Sequence, residues 1–353
     1  PGPGISLVSA TAAGDAGSGP SNDPDTSADG RFVVFHSAAN DLVDGDDNAV
    51  SDVFLFDMAT GDRVRASETA DGTGADATAF GAQVSDDGRY VTFMSSATNL
   101  AAGVDGSGRQ VYLKDLETGD LHLLSEAAGG GGGDGFSDLA TISGDGSTVA
   151  FQSTATDLVA GGTTENRAHV YLYDVETGAL SLVTPPGAAE SSASSSVPVL
   201  SADGQVLVFR NDGDSGFTGE TSGQDIVLYD RTADAFELIS RADGPAGAPV
   251  GTLSGSPTVS DDGRFVGFTT RENLDPEDNF FNSEDGYLRD RQNDTTTWVT
   301  AAANGSHGGF SAQNMVLSGN GAAVFFTYFG GLVPEDTNDI TDIYRRNLTT
   351  GEL

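Results

Sequence analysis

The stretch that decides the fold of this chain first reads Ser27-Ala28-Asp29-Gly30-Arg31-Phe32-Val33-Val34-Phe35. Related stretches follow at a step of 58 or 59 residues, each with a serine, an Asp-Gly or Asn-Gly pair and then apolar residues that end on an aromatic ring. The leading serines are Ser27, Ser85, Ser143, Ser201, Ser260 and Ser318. Self-similarity at a fixed period indicates one structural unit that is used repeatedly. The chain of 353 residues therefore contains six repeats.

Each repeat predicts four short β-strands. The Asp-Gly pair is a hairpin signal, because glycine accepts the positive φ of the tight turn. In the second repeat, strands are predicted at 83–85, 89–95, 111–115 and 121–125, with a Thr118-Gly119 turn before the last of them. Glycine is abundant, at 48 residues, and the apolar runs are short, which favours strands over helices. The prediction is an all-β chain, a six-bladed β-propeller of four-stranded blades, with residues 1–353 as a single domain.

The two ends of the chain predict how the ring closes. Ser9 precedes Ser27 by the 18 residues that separate Ser67 from Ser85, so residues 5–9 match the closing strand of a repeat. The last repeat, 310–353, ends at the turn that leads into that strand. We therefore expect residues 5–9 to pair with the C-terminal blade and to leave no open sheet edge.

The repeat resembles a known family. The pattern Ser-x-Asp-Gly followed by Val-x-Phe, and then by an Asp-x-x-Thr-Gly turn, is similar to the TolB-like propeller repeat, also called the PD40 or WD40-like repeat, over residues 5–353. The proline usual before Asp-Gly is missing here, where Ala28, Asp86 and their counterparts stand. The resemblance implies a periplasmic or extracellular location, secreted or at the cell surface, and a binding role. It does not imply a reaction, because propellers carry many functions.

The charge of the chain excludes several partners. Its 53 acidic and 16 basic residues give a net charge of −37, which argues against nucleic acid and against docking on anionic membranes. No apolar run approaches the ~20 residues of a membrane-spanning helix, so we expect no membrane insertion. The absence of cysteine excludes thiolate metal sites and thiol nucleophiles. Two explanations of the acidity stay open: adaptation to high salt, and loading with Ca²⁺.

The loops between the second and third strands are candidate Ca²⁺ sites. The first and last repeats both contain Asp-x-Asn-x-x-x-Asp, and the fifth has a longer acidic variant. Alternating short oxygen side chains can wrap a hard cation, and the alternative is that they only make turns. The candidate ligands are Asp46, Asn48, Asp52, Asp336, Asn338, Asp342, Asp278 and Asp285.

A second candidate site lies where the innermost strands begin, at the mouth of the predicted channel. The polar residues there are Asn22, Asp23, Asp138 and Asn314. They suit a cation, a sugar or a basic peptide, and the alternative, which we favour, is a water-filled channel without a ligand. The four histidines occupy different positions in their repeats, so repeat symmetry does not bring them together for catalysis.

The sequence leaves more than one function open. The leading hypothesis is a non-enzymatic extracellular binding or structural module, part of a surface protein or assembly, with Ca²⁺-stabilised loops. Its expected partners are a protein or glycan at the cell surface, or further copies of itself as a filament subunit. The alternative is a carbohydrate-active enzyme that uses Asp23 and Asp138 at the channel mouth.

Overall fold

The computed structural model describes the chain in two compact units, Pro1–Leu182 and Val183–Leu353. It describes all residues except 1–4, 164–166, 184, 186–193, 214–215, 218–222, 245–246, 251–253, 277, 279–282, 303, 306–310 and 339. The regular elements of the described residues are all β-strands. This part of the chain contains no helix long and apolar enough to cross a membrane. The prediction of a single domain stays a prediction.

The first unit consists of three four-stranded antiparallel sheets, β1–β4, β5–β8 and β9–β12, each with its strands in chain order. Their bounds are β1 Ser21–Thr26, β2 Phe32–Ser37, β3 Asp52–Asp57, β4 Arg63–Arg65, β5 Ala79–Val84, β6 Tyr90–Ser95, β7 Gln110–Asp115, β8 Leu121–Leu123, β9 Ser137–Ile142, β10 Thr148–Ser153, β11 His169–Asp174 and β12 Ala179–Val183.

The second unit repeats this plan with one difference. Two sheets have four strands, β13–β16 and β17–β20, and the last sheet has three, β21–β23. The bounds are β13 Ser194–Leu200, β14 Val206–Asp212, β15 Gln224–Asp230, β16 Ala235–Leu238, β17 Ser254–Val259, β18 Phe265–Thr270, β19 Asp285–Asp290, β20 Thr295–Trp298, β21 Ala312–Leu317, β22 Ala323–Phe329 and β23 Thr341–Asn347.

The repeated Ser-x-Asp-Gly stretch makes the turn between the first two strands of each sheet. In the first copy, Ser27 Oγ donates to Asp29 Oδ1 (2.8 Å) and accepts from the amide of Phe32 (3.0 Å). Asp29 Oδ1 also accepts from the amide of Arg31 (2.9 Å), and Gly30 takes a positive φ of 69°. The serine and aspartate therefore hydrogen-bond to backbone N–H groups of the turn, which explains why these residue types recur.

The core of each unit lies between neighbouring sheets. The aromatic residue that ends the repeated stretch is buried in every copy, as with Phe93 and Phe151 in the first unit. Phe93 stacks on Tyr112 of the same sheet and packs among residues of the first sheet, such as Val53 and Leu55. Phe326 and Tyr344 of the last sheet pack in the same way against Leu288 and Val299. The faces that meet between neighbouring sheets within a unit hold clusters of buried apolar side chains, and burial of this apolar surface stabilises the fold.

A buried hydroxyl just past the fourth strand fastens that strand to the third in four of the sheets. Ser125 Oγ accepts from the amide of Val111 (3.0 Å) and donates to Gln110 Oε1 (2.6 Å). The equivalent hydroxyls each contact a side chain at the start of the third strand and the amide of the residue that follows it. We call them the strand-four hydroxyls: Ser67, Ser125, Ser240 and Thr300.

Residues 5–9 are not in a strand, although the sequence predicts one there. Ile5 is fully exposed, and Leu7 is exposed as well. A strand is defined by its hydrogen bonds to a neighbour, and these residues have no such neighbour among the described residues. Their pairing with the C-terminal blade therefore stays a prediction.

Candidate functional site

A left-handed residue interrupts each innermost strand at the same position. In β1, β5 and β9 these residues are Asp23, Gly81 and Leu139, with φ of 48°, 61° and 50°. The strand register shifts at each of them, which marks a β-bulge. The second unit has the same feature at Val197, Ser256 and Asn314. Gly81 gives the clearest sequence signal for it, and Asp23 and Asn314 give a weaker one, because glycine, and after it Asn and Asp, tolerate positive φ best.

The bulges lie beside a polar cluster on the first unit. Asp138 Oδ2 accepts from Arg109 Nη2 (2.9 Å), and Asp138 Oδ1 accepts from Gln152 Nε2 (2.6 Å). Asp138 stands opposite Gln152 in the β9–β10 ladder, and Arg109 directly precedes β7 of the neighbouring sheet. The cluster therefore links two sheets through one carboxylate, and both oxygens of that carboxylate are fixed in direction.

Two aromatic rings flank the guanidinium of Arg109. Its Cζ lies 5.8 Å from the ring centroid of Phe80 and 5.5 Å from that of Phe136. Phe136 is a large apolar side chain with 52% of its surface exposed. Nε of Arg109 is buried without a hydrogen-bond partner. We call the group formed by Phe80, Arg109, Phe136, Asp138 and Gln152 the Arg109 site.

The other residues predicted at the channel mouth are less tightly held. Asp23 Oδ2 lies 3.7 Å from His36 Nδ1, which is buried without a hydrogen-bond partner, and the side chain of Asp23 is largely exposed. Asn22 stands opposite His36 in the β1–β2 ladder. Asn314, in the second unit, donates from Nδ2 to Thr327 Oγ1 (3.3 Å). Of the predicted mouth residues, Asp138 belongs to the Arg109 site, and sequence reasoning missed Arg109 and Gln152.

The first predicted Ca²⁺ loop contains an internal ion pair. Asp46 Oδ1 lies 3.3 Å from Arg65 Nη1, and both side chains are buried. Asn48 Nδ2 donates to Asp52 Oδ2 (2.7 Å), and Ser67 Oγ donates to Asp52 Oδ1 (2.5 Å). Burial raises the pKa of both Asp46 and Asp52 above the ordinary aspartate value. A cation at this loop would require Arg65 to leave Asp46.

Three of the other predicted ligands, Asp336, Asp278 and Asp285, accept hydrogen bonds from tyrosine or serine hydroxyls. Tyr344 donates to Asp336 Oδ2, and burial, followed by this contact, raises the pKa of Tyr344 to about 12. Tyr287 donates to Asp278 Oδ2 (2.6 Å) and Ser283 donates to Asp285 Oδ2 (2.8 Å). Asn338 Oδ1 accepts from the amide of Ile340 (3.1 Å).

Within the described ranges, no group of three or more His, Asp or Glu side chains is arranged to hold a metal ion. Ca²⁺ binding therefore stays a prediction.

Comparison with known proteins supports the fold. No protein family's sequence profile matches the chain, and no curated protein matches it either. Among solved structures, the β-propeller domain of the Trilobed protease from Pyrococcus furiosus, described as having an open velcro topology, matches with a TM-score of 0.53 and 12% identity, over 93% of this chain and 82% of that one. One of two prolyl endopeptidases matches with a TM-score of 0.56 and 13% identity, over 96% and 42%.

TolB from Acinetobacter baumannii matches with a TM-score of 0.44 and 18% identity, over 79% of this chain and 53% of that one. The chain thus spans about half the length of that protein. The all-β structure, with its six antiparallel sheets, and the propeller neighbours confirm the predicted fold class, a β-propeller with six blades.

Proposed function

We propose that the chain is a non-enzymatic binding module of TolB-like type that works outside the cytoplasm, in the periplasm or at the cell surface. The observation that carries the proposal is the Arg109 site. It presents an exposed aromatic face beside a fixed carboxylate, an amide and a guanidinium. Binding sites commonly combine apolar or aromatic surface with a few placed polar groups.

The chemistry of the Arg109 site suits a glycan. The face of Phe136 can stack on a sugar ring, and the remaining donors of Arg109 can bond to its hydroxyls. The carboxylate of Asp138 is already bonded at both oxygens, so it is better placed to orient Arg109 and Gln152 than to transfer a proton. The alternative ligand is a protein at the cell surface that exposes an acidic group or a group that resembles a sugar.

Glycan-array binding, followed by titration of the best ligand, tests this proposal. Phe136→Ala and Arg109→Met should each weaken binding about tenfold or more, because each removes a contact worth at least ~1.4 kcal/mol. Arg31→Met is a matched control: Arg31 also lies over a ring, 4.6 Å from that of Phe32, but at a turn. Unchanged binding by Phe136→Ala would remove the site from consideration.

A carbohydrate-active enzyme is the second candidate. The observation in its favour is the contact between Asp23 and His36, which places an exposed carboxylate beside a buried imidazole. Turnover of a polysaccharide that is abolished in the Asp23→Asn, Asp138→Asn double variant would favour this candidate. Binding without turnover would contradict the enzyme and support the non-enzymatic binding module.

A further inference from the structure

A cationic side chain crosses the junction between neighbouring sheets in three places among the described residues. It comes each time from the next-to-last residue of the third strand: Lys114 in β7, Arg289 in β19 and Arg346 in β23. Each donates to a carbonyl of the turn after its own strand and to a carbonyl of the loop that follows the preceding sheet. These cations therefore fasten a sheet to the one before it within its unit.

Lys114 shows what such a junction offers to a cation. Its Nζ donates to the carbonyl of Gly119 (2.8 Å) and to that of Glu68 (3.4 Å), and the side chain is almost fully buried. Glu68 directly follows the strand-four hydroxyl Ser67 and adds a negative charge nearby. An ammonium suits this place because it has three N–H donors and no acceptor.

The junction between the second and third sheets has a tyrosine in place of the cation. Tyr173 is the next-to-last residue of β11, so it holds the position of Lys114 in β7. The acceptors are still there: Glu126 directly follows a strand-four hydroxyl, and Gly178 holds the position of Gly119. Within the part of the chain that the structure describes, Tyr173 donates to neither carbonyl, and no hydrogen bond reaches the carboxylate of Glu126.

A groove of about 610 Å³ opens at this tyrosine junction. Glu126, Tyr173 and Gly178 line it, and we call it the Glu126 groove. A Cβ placed on Gly178 would lie 3.5 Å from the hydroxyl of Tyr173, so the tyrosine reaches as far as the turn. Leucine side chains, among them Leu158 and Leu180, form an apolar wall. The volume is within the range of small-molecule sites, about 300–1,000 Å³.

The residue after the strand-four hydroxyl indicates which cation fits the groove. It is a glutamate where lysine fills the junction, Glu68, and again at the tyrosine junction, Glu126. Where arginine fills the junction, this residue is Arg241 or Ala301, neither of which is acidic. The tyrosine junction therefore matches the lysine junction, and the matching cation is an ammonium.

We propose that the Glu126 groove binds a primary ammonium group on an alkyl stem, from a lysine side chain of a partner protein or from a free diamine. The carboxylate of Glu126 and the carbonyls of Glu126 and Gly178 are three acceptors for its three N–H donors. The leucine wall receives the stem, because lysine stems lie along apolar surface while the charged head stays with polar groups. The net charge of −37 also draws cations to the chain.

Calorimetric titration of the full chain tests this proposal and separates the two sources of the ammonium. The probes are Nα-acetyl-lysine amide and cadaverine, a diamine. The titration is run at pH 8, above the ordinary titration range of histidine, because His122 also lines the groove. Saturable binding of at least one probe is expected. Tighter binding of the lysine amide assigns the groove to a partner protein, and tighter binding of cadaverine assigns it to a free amine.

The Nε-trimethylated form of Nα-acetyl-lysine amide is the matched control probe. It keeps the charge and the stem but has no N–H donor on its head group, so it should bind at least about tenfold more weakly. Cations that are attracted only by the acidity of the whole chain would not show this difference.

Three variants locate the binding. Glu126→Gln removes the charge of the exposed glutamate and should weaken binding about tenfold. Tyr173→Lys supplies the ammonium from the chain itself, as Lys114 does, and should abolish binding. Glu176→Gln is the control, because Glu176 is exposed in the turn after β11 and does not line the groove.

Equal binding of the lysine amide and its trimethylated form would overturn the proposal. Equal effects of Glu126→Gln and Glu176→Gln would do the same, because the attraction would then come from general charge. No saturable binding of either amine would also overturn it. The residues of the Arg109 site take no part in these measurements, so this inference and the proposed function can fail separately.

Discussion

At the scale of single residues, the strand-four hydroxyls account for stability that apolar burial does not supply. Each is fully buried and contacts both a backbone amide and a side-chain acceptor of the third strand. A group that serves two partners at once leaves both of them unsatisfied when it is removed. Such positions are therefore more sensitive than their small size indicates.

Ser67→Ala tests this role. The variant leaves Asp52 Oδ1 and the amide of Val53 without the hydroxyl that now bonds to both. We expect the free energy of unfolding to fall by about 2–3 kcal/mol, measured by urea denaturation. Ser67→Thr is the control and should stay close to wild type, because Thr300 occupies the equivalent place. A Ser67→Ala protein as stable as wild type would contradict the assignment.

The Arg264–Asp290 pair makes stability depend on pH. Hydrogen bonds from Arg264, at 3.0 and 2.7 Å, hold the pKa of Asp290 below its usual value of 3.8. An aspartate with a depressed pKa in the folded state stabilises the fold above its unfolded pKa, and this contribution is lost as the pH falls through the folded pKa. Arg264→Met should therefore destabilise more at pH 7 than at pH 2, where the contribution of the ion pair is smaller.

Urea titrations of both proteins at the two pH values provide the measurement. Arg63→Met is a suitable control, because Arg63 also lies over an aromatic ring, at 4.9 Å from that of Phe56, and donates to a carbonyl. Equal destabilisation by Arg264→Met at both pH values would mean that packing, and not the ion pair, is what Arg264 supplies.

At the scale of elements, the sequence predicted the strands better than their irregularities. The Ser-x-Asp-Gly turns and the third strands follow directly from turn chemistry and from short apolar runs. The bulges in the innermost strands were missed, because Leu139 and Val197 give no local signal for a left-handed backbone. Tertiary packing fixes these conformations, and sequence pattern does not report it.

Leu139→Gly should relieve the strain at one bulge. A left-handed backbone costs a residue with a Cβ about 1–2 kcal/mol, and glycine avoids most of that cost. We expect Leu139→Gly to be more stable than Leu139→Ala by about 1 kcal/mol in thermal melts. Comparison with alanine removes the contribution of the exposed leucine side chain. The opposite change, Gly81→Ala, should destabilise, because alanine rarely adopts the φ of 61° found there and Met94 Cε would have to move away from the new Cβ. A Leu139→Gly protein no more stable than the alanine variant would contradict the strain argument.

Only part of the Arg109 site could be predicted from the sequence. Asp138 was predicted because it is polar and stands near the start of an innermost strand. Its partners Arg109 and Gln152 come from other strands, and contacts between strands depend on register. The aromatic residues Phe80 and Phe136 were visible in the repeat, but their position on either side of Arg109 follows from the structure alone.

At the scale of the whole molecule, a melt in millimolar Ca²⁺ against EDTA tests whether the acidic loops bind the ion. A ligand at a hundred times its Kd stabilises the folded state by about 2.7 kcal/mol. If calcium is bound, Tm should rise by several degrees, and Asp336→Ala should abolish the rise. Asp105→Ala, in a loop where the acidic pattern is lost, is the matched control. If Tm does not change with Ca²⁺, the loops do not bind the ion and serve only as turns.

The same melt in 0.1 M and 1 M NaCl separates calcium from general salt effects. The screening length falls from about 10 Å to about 3 Å between these salt concentrations. Because 53 acidic residues face only 16 basic ones, repulsion should weaken and Tm should rise with NaCl alone. If Tm rises with NaCl but not with Ca²⁺, the acidic residues act as a general surface charge and not as ligands of the ion.

Side chains also tie neighbouring sheets together one repeat apart. Asp25 accepts from the amide of Val84, Gln83 from that of Ile142, and Thr258 from that of Leu317, at 3.1–3.2 Å. Within each unit, these bonds fasten a sheet to the next sheet along the chain. When the termini are pulled apart mechanically, the molecule should unfold one repeat at a time. Each step should release roughly 200 Å of extended polypeptide.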